Sequence, residues 1–515
     1  MPNSDRFSLF FQRPLLIKLL ICVIALLPLI IRLFYYPNYP GADDAFIHAA
    51  VIQMLCDHHT WGINPGEYVN MSTSPLFTVC FSAIYYLFGD VIYPGIIISS
   101  LAIVISLFLT YYIAKKMTSD SYIAIAVMAL AATNVHLWRW SGTLMEVSLS
   151  YFSVLLNVLL FLFIRNRKQE NHKWKLYLTQ GIVLGLTVML RPETGLIIVA
   201  FFIHDAINRR KALLSTYITI GCGILIVLSV YAVLTWSYFG NILPSTFYAK
   251  TTKGLNFINT TVANQLLQVI LSGFVGLIII IIVYAAILLF RKGAKQFVPI
   301  IRDNALFWIF PLLGFVFYYL KFPTLASPGR YFLPFMATVL FLAIPIIRQC
   351  QYFLSVNRMR SLLIAVIILQ LTIALYYNHT RFAPVLSQMW DENIATMTEA
   401  SEQIKKRCNQ NDVVLVAFEL GVISWKLNGA VHIADAGCLA SPELRGMSPA
   451  KMIEKSNATY VIHSLGGSKP DYLLFGNTPL KLLWERSFKS SGVGNPNRIY
   501  YTRLYQVCHS EPADR

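Results

Sequence analysis

Two adjacent carboxylates, Asp43 and Asp44, lie in the segment Tyr39-Pro40-Gly41-Ala42-Asp43-Asp44-Ala45-Phe46-Ile47-His48, just after the first long apolar stretch. A carboxylate at a membrane surface can take the proton of an acceptor hydroxyl during glycosyl transfer. A neighbouring pair can also hold a divalent cation that neutralises a leaving phosphate. On spacing alone the plainer reading is a helix cap, with Asp43 or Asp44 starting the amphipathic stretch Ala45–Cys56. His48 lies one helical turn beyond Asp44, where it can orient that carboxylate or sit as an ordinary interfacial histidine. Six cations, Arg139, Arg191, Lys250, Lys253, Lys321 and Arg330, fall between apolar stretches, on the side of the aspartates if the charge bias sets the orientation. Arginine grips a phosphate through two parallel donors and lysine as a point charge. Each also fits snorkelling, or an ion pair with Glu146 or Glu193.

The elements that carry these residues are membrane spans. The chain has 515 residues, 56% hydrophobic and only 13% charged, which is too apolar for a soluble protein of this size. Apolar runs near the 20 or so helical residues that cross a bilayer recur roughly at 15–36, 91–114, 120–138, 145–164, 174–190, 194–207, 212–238, 262–290, 304–320, 331–348 and 361–377. The basic flank Arg6, Arg13 and Lys18 leads into the first run with no small-residue cleavage site after it, so an uncleaved first span is expected. Lysine and arginine set the orientation. With the N-terminus cytoplasmic, twenty basic residues fall inside, in the groups Arg6–Lys18, Lys115–Lys116, Arg165–Lys175, Arg209–Lys211, Arg291–Arg302 and Arg348–Arg360, against the six outer ones. The alternation holds only if the short apolar segment 75–89 adds no crossing and is a re-entrant or interfacial helix. The net charge of +17 therefore marks orientation, not nucleic-acid binding.

After Tyr377 the composition changes. Residues 379–515 hold 15 of the 42 basic and 13 of the 25 acidic residues. Short β-rich runs (Val413–Phe418, Val431–Ala434, Tyr460–His463) alternate with helical stretches (Asp391–Arg407, Gly421–Leu427), which predicts a small α/β domain. An odd number of spans puts it on the extracytoplasmic side. The expected organisation is a polytopic α-helical membrane domain over 1–378, about 11–13 spans with the catalytic first outer loop at 37–74, and an extracytoplasmic α/β domain over 379–515. The eight cysteines show no metal spacing; Cys408, Cys438 and Cys508 allow at most one disulfide.

Further motifs follow in order: Trp61-Gly62-Ile63-Asn64-Pro65-Gly66-Glu67, Ser72-Thr73-Ser74-Pro75-Leu76, Ser141-Gly142-Thr143-Leu144-Met145-Glu146, Leu190-Arg191-Pro192-Glu193, Tyr238 through Leu243-Pro244-Ser245-Thr246-Phe247-Tyr248-Ala249-Lys250, and Gly329-Arg330-Tyr331-Phe332-Leu333-Pro334. In this order they resemble the GT-C superfamily of integral membrane glycosyltransferases. The nearest branch is the bacterial enzymes similar to terminal arabinofuranosyltransferases. Thr143-Leu144 and Ser245 depart from that pattern, which has a tighter Gly-Leu/Met-Glu loop and an Asn before the Thr. Glu419-Leu420-Gly421, Asp435-Ala436-Gly437 and Ser441-Pro442-Glu443 echo the family's outer domain.

The resemblance implies a polyprenyl-phosphate sugar donor, an envelope glycan or lipid acceptor, and a bacterial inner membrane. It makes Asp43 the general base with Asp44 assisting, the two roles being interchangeable. Arg330, Lys250 and Arg191 become ligands of the donor phosphate, and His48, Glu146, Glu193 and Tyr248 contacts to substrate. No cofactor is demanded; a divalent cation at Asp44 is compatible. The rival classes are a transporter or flippase of lipid-linked glycans and a non-catalytic scaffold. Cleanly apolar spans and polar outer loops argue against passage through the membrane.

Overall fold

In a computed structural model the described residues are 14–37, 39–41, 43–166, 173–208, 213–250, 258–291, 297–325, 327–417, 419–466, 478–489 and 499–508. The helices are α1 (Pro14–Tyr35), α2 (Asp43–His58), α3 (Pro75–Phe88), α4 (Ile92–Thr118), α5 (Ser121–Ala132), α6 (Val135–Trp140), α7 (Val147–Asn166), α8 (Lys173–Leu190), α9 (Leu196–Ile207), α10 (Leu213–Phe239), α11 (Ser245–Lys250), α12 (Thr260–Gly273), α13 (Val275–Arg291), α14 (Phe297–Asp303), α15 (Ala305–Lys321), α16 (Pro328–Val339), α17 (Ala343–Gln351), α18 (Val356–Tyr377), α19 (Ala383–Arg407), α20 (Leu420–Leu427) and α21 (Pro449–Ser456). The strands are β1 (Val413–Ala417), β2 (His432–Asp435), β3 (Tyr460–Gly466), β4 (Leu480–Lys489) and β5 (Ile499–Val507).

Among the described residues, six helices are long and apolar enough to cross a membrane, and the bent pair α12–α13 makes a seventh. The expected polytopic helical fold with a small C-terminal sheet is what the chain adopts. α3 has 14 residues, about 21 Å at 1.5 Å per residue, short of the roughly 30 Å of hydrocarbon. It packs on α2, with Tyr85 donating to Asp57 Oδ2 at 3.1 Å.

Two expected spans are not single straight helices. The stretch 262–290 bends by 85° at Phe274, and 120–138 breaks at Thr133–Asn134. The breaks meet and satisfy one another. Asn134 caps α6 by accepting from His136 N at 2.9 Å and donates to Gly273 O at 3.0 Å. Gln370 of α18 donates to Leu130 O (2.7 Å) and accepts from Gly276 N (2.9 Å). Freed backbone groups inside an apolar bundle must find such partners. The sequence offered only two continuous apolar runs.

The basic segments gather at one end of the bundle: Arg348 Nη2 donates to Thr118 O (2.6 Å), Tyr122 to Arg360 O (3.0 Å) and Asn208 Nδ2 to Arg302 O (3.4 Å). At the other end stands the sheet, in the order β2-β1-β3-β5-β4. β1, β2 and β3 are parallel and β5 and β4 antiparallel. β4 and β5 fell outside the sequence expectation, because their alternating, half-exposed residues lack the apolar runs of β1 and β3. The eight cysteines are free, so no disulfide joins Cys408, Cys438 and Cys508.

Candidate active site

The site is built where the stretch 43–74 meets the sheet domain. At the end of α1, buried Arg32 donates to Tyr39 O (2.5 Å) and Ser141 O (3.0 Å), tying the approach to α2 to the loop before α7. Gly142, at φ +62, is pressed against Arg32; a Cβ there would lie 2.6 Å from Arg32 Nε. Leu144 N then donates to Pro40 O (2.6 Å). These contacts place Glu146 beside the first turn of α2.

Asp43 and Asp44, neighbours in sequence, part company in space. Asp43 turns to the sheet domain: its Oδ1 accepts from Gly421 N (2.9 Å) and Val422 N (3.3 Å) at the start of α20. A Cβ on Gly421 would stand 2.3 Å from Asp43 O, so glycine lets the two helices touch. Burial, then Glu419 and Asp44, push the Asp43 carboxyl well above the usual carboxylate range, against the pull of those two amides. Glu419, held at φ +55, is also raised, chiefly by burial.

Asp44 faces a cavity lined by His48, Ser72, Thr73, Thr246, Arg330 and Leu439. Its Oδ2 pairs with Arg330 Nη1 at 2.5 Å. Arg330 Nε lies 3.8 Å from Glu146 Oε1, and Arg191 Nε is at the same distance. His48 Nε2 stands 3.6 Å from Glu146 Oε2. Burial raises the Glu146 carboxyl, but Arg330, His48 and Arg191 together hold it well below the usual range.

Arg191 acts as a strut: it pairs with Glu193 Oε1 (2.7 Å) and donates to Arg330 O (2.9 Å) and Tyr318 OH (3.3 Å). Tyr318 also donates to Glu193. Both guanidinium carbons lie over the Tyr331 ring, at 5.2 Å for Arg330 and 5.3 Å for Arg191.

Six residues singled out from sequence therefore converge: Asp44, His48, Glu146, Arg191, Glu193 and Arg330. Tyr248 does not join them; it is exposed, beneath the Arg445 guanidinium at 5.8 Å. Lys250 ends α11 and its side chain lies outside the described residues, as does Lys253. Asp44, offered by the sequence to a divalent cation, is held by a guanidinium. Among the described residues, no three His, Cys, Asp or Glu gather as a metal site.

Sequence reasoning missed Tyr318, whose apolar helix gave no signal, and Leu439. The latter reaches the cavity because Asp435 accepts from Gly437 N (2.8 Å), Leu439 N (2.6 Å) and Ala440 N (2.9 Å), curling the loop after β2. Asn64 clamps β2 reciprocally, accepting from Ile433 N (2.8 Å) and donating to Ile433 O (2.9 Å).

Residues 72–236 match the family model described as dolichyl-phosphate-mannose-protein mannosyltransferase. ArnT from Cupriavidus metallidurans, bound to undecaprenyl phosphate, superposes with a TM-score of 0.57 over 93% of this chain and 97% of its own at 11% identity. The chain therefore shares its fold with ArnT. The apo form of the same ArnT gives 0.54 at 11% identity over 98% of each chain. The Archaeoglobus fulgidus oligosaccharyltransferase, in complex with zinc and sulfate, gives 0.54 at 14% identity over 86% of this chain and 67% of its own. No curated protein matches the sequence. The superfamily resemblance carried by the motifs thus agrees with the fold and the family model.

Proposed function

We propose that the protein is a membrane glycosyltransferase that moves a sugar from a polyprenyl-phosphate donor to an envelope glycan or lipid acceptor at the outer face of a bacterial inner membrane. The observation that carries this reading is the Asp44–Arg330–Glu146–Arg191 cluster, a carboxylate and a guanidinium facing one cavity at the sheet end of the bundle. The N-terminus is then cytoplasmic and the sheet domain extracytoplasmic.

The chemistry is a single displacement. Asp44 takes the proton of the acceptor hydroxyl, the oxygen attacks the anomeric carbon, and polyprenyl phosphate departs toward Arg330. Without donor, Asp44 and Arg330 hold each other. A phosphate that draws Arg330 to itself frees Asp44 to act as base. Arg191 keeps Arg330 in place through its carbonyl, and Glu146 supplies the buried countercharge that keeps both arginines together. Asp43, on this reading, anchors the sheet domain against the catalytic loop. The relatives support the donor class through the ArnT ligand, undecaprenyl phosphate.

The test is mass analysis of envelope glycans in a strain lacking the protein, rescued with wild type, Asp44→Asn or Arg330→Ala. Loss of one glycan mass in the deletion, restored by wild type alone, is expected. An unchanged profile in the deletion, with the protein normally expressed, would sink the proposal.

A further inference from the structure

A second polar cavity, of about 280 Å³, opens at the end of the bundle opposite Asp44, where the basic segments gather. It is walled by the last turn of α7, the start of α8, the end of α9 and the start of α10, and lined by Arg165, Lys173, Tyr177, Gln180, Asp205 and Tyr217. Its floor is a backbone contact. A Cβ on Gly181 would lie 2.1 Å from Ile220 O, and one on Gly223 2.4 Å from Leu178 O, so the backbones of α8 and α10 touch next to Gln180.

Gln180 is 1% exposed and its Nε2 has no hydrogen-bond partner. A buried amide donor left unmade is costly, so its presence on a cavity wall points to an acceptor supplied from outside. Arg165 lies over the Phe161 ring at 5.8 Å and engages His204. In the same lining Tyr217 donates to Asp205 Oδ2 at 3.2 Å. The lining therefore carries two cations, an amide N–H and a carboxylate.

We propose that this cavity binds the head group of a phospholipid carrying both a phosphate and a primary ammonium, a site that goes beyond glycosyl transfer. The phosphate meets Lys173, Arg165 and Gln180 Nε2, and the ammonium meets Asp205. Asp205 disfavours a purely anionic head group, and a trimethylated ammonium has no N–H to donate to it. A lipid suits the site better than a soluble ligand. The exposed stripe Leu214, Ile218 and Leu225 runs along α10 beside the cavity, where an acyl chain can lie.

Native mass spectrometry of the full-length protein in detergent tests this, with dioleoyl phosphatidylethanolamine, phosphatidylglycerol and phosphatidylcholine added in turn and soluble phosphoethanolamine as competitor. Phosphatidylethanolamine should be retained about tenfold over phosphatidylcholine, the scale of one hydrogen bond to a charged group. Asp205→Asn should bring the two to near parity. Equal retention by wild type, preference for phosphatidylglycerol, competition by soluble phosphoethanolamine as strong as by the lipid, or an undiminished preference in Asp205→Asn would each overturn the proposal. Should Asp205→Asn fail to fold, Lys173→Met must lower retention of phosphatidylethanolamine; unchanged retention overturns it too.

Discussion

Replacing Asp44 and Asp43 one at a time by Asn separates a base from an anchor. Asp44 faces the cavity with its Oδ2 2.5 Å from Arg330 Nη1. Asparagine fills the same space but cannot take a proton, so transfer should fall by about 10²- to 10⁴-fold, the usual contribution of a positioned base. In Asp43→Asn an amide oxygen still accepts from Gly421 N and Val422 N, the two bonds Asp43 makes at 2.9 and 3.3 Å. Transfer should then stay close to wild type. Asp43→Ala loses both bonds and leaves two N–H groups facing α2, a cost of about 2–4 kcal/mol that lowers the melting temperature. The assay pairs quantitative glycan mass analysis of membranes with equal protein levels and thermal melting of each purified variant. Transfer abolished by Asp43→Asn but spared by Asp44→Asn would refute the assignment outright.

Because the Asp43 and Glu419 carboxyls are raised, the folded chain binds protons that the unfolded chain releases. That stability is complete below the ordinary carboxylate range near pH 4 and drains away as pH rises through the folded values. Melting temperature should therefore decline as pH rises above the ordinary carboxylate range in wild type and less in Asp43→Asn; identical slopes would count against the pairing. Arg330→Ala strips the buried Glu146 of a countercharge and should cost about 3–5 kcal/mol. Arg330→Lys should recover part of that stability without recovering transfer, as thermal melting and glycan analysis would show. In a cysteine-free background, Tyr68→Cys and Val356→Cys, both at exposed positions, should react with a membrane-impermeant thiol reagent from opposite sides. Labelling from one side would overturn the orientation.

The motif residues were legible because they are costly. Charges such as Glu146, Arg191 and Arg330 are placed among apolar spans only where something compensates them, so their presence called for partners, and the order of the motifs around them pointed to a site. The order of the motifs resembled GT-C enzymes, and the bias of lysine and arginine between loops set the expected orientation without any coordinates. What the sequence determined was therefore composition, expected sidedness and the set of reactive side chains. It could not say which aspartate does what. Asp43 and Asp44 are adjacent at the first turn of a helix, so they point about 100° apart, and only the packing of α20 against that turn decides which meets the amides and which meets Arg330. Nor could it show that Asn134 and Gln370 join two broken spans, or that Leu439 closes the cavity. Those are pairings across 94 residues or more, created when separate apolar runs pack together, and a linear pattern carries no record of them.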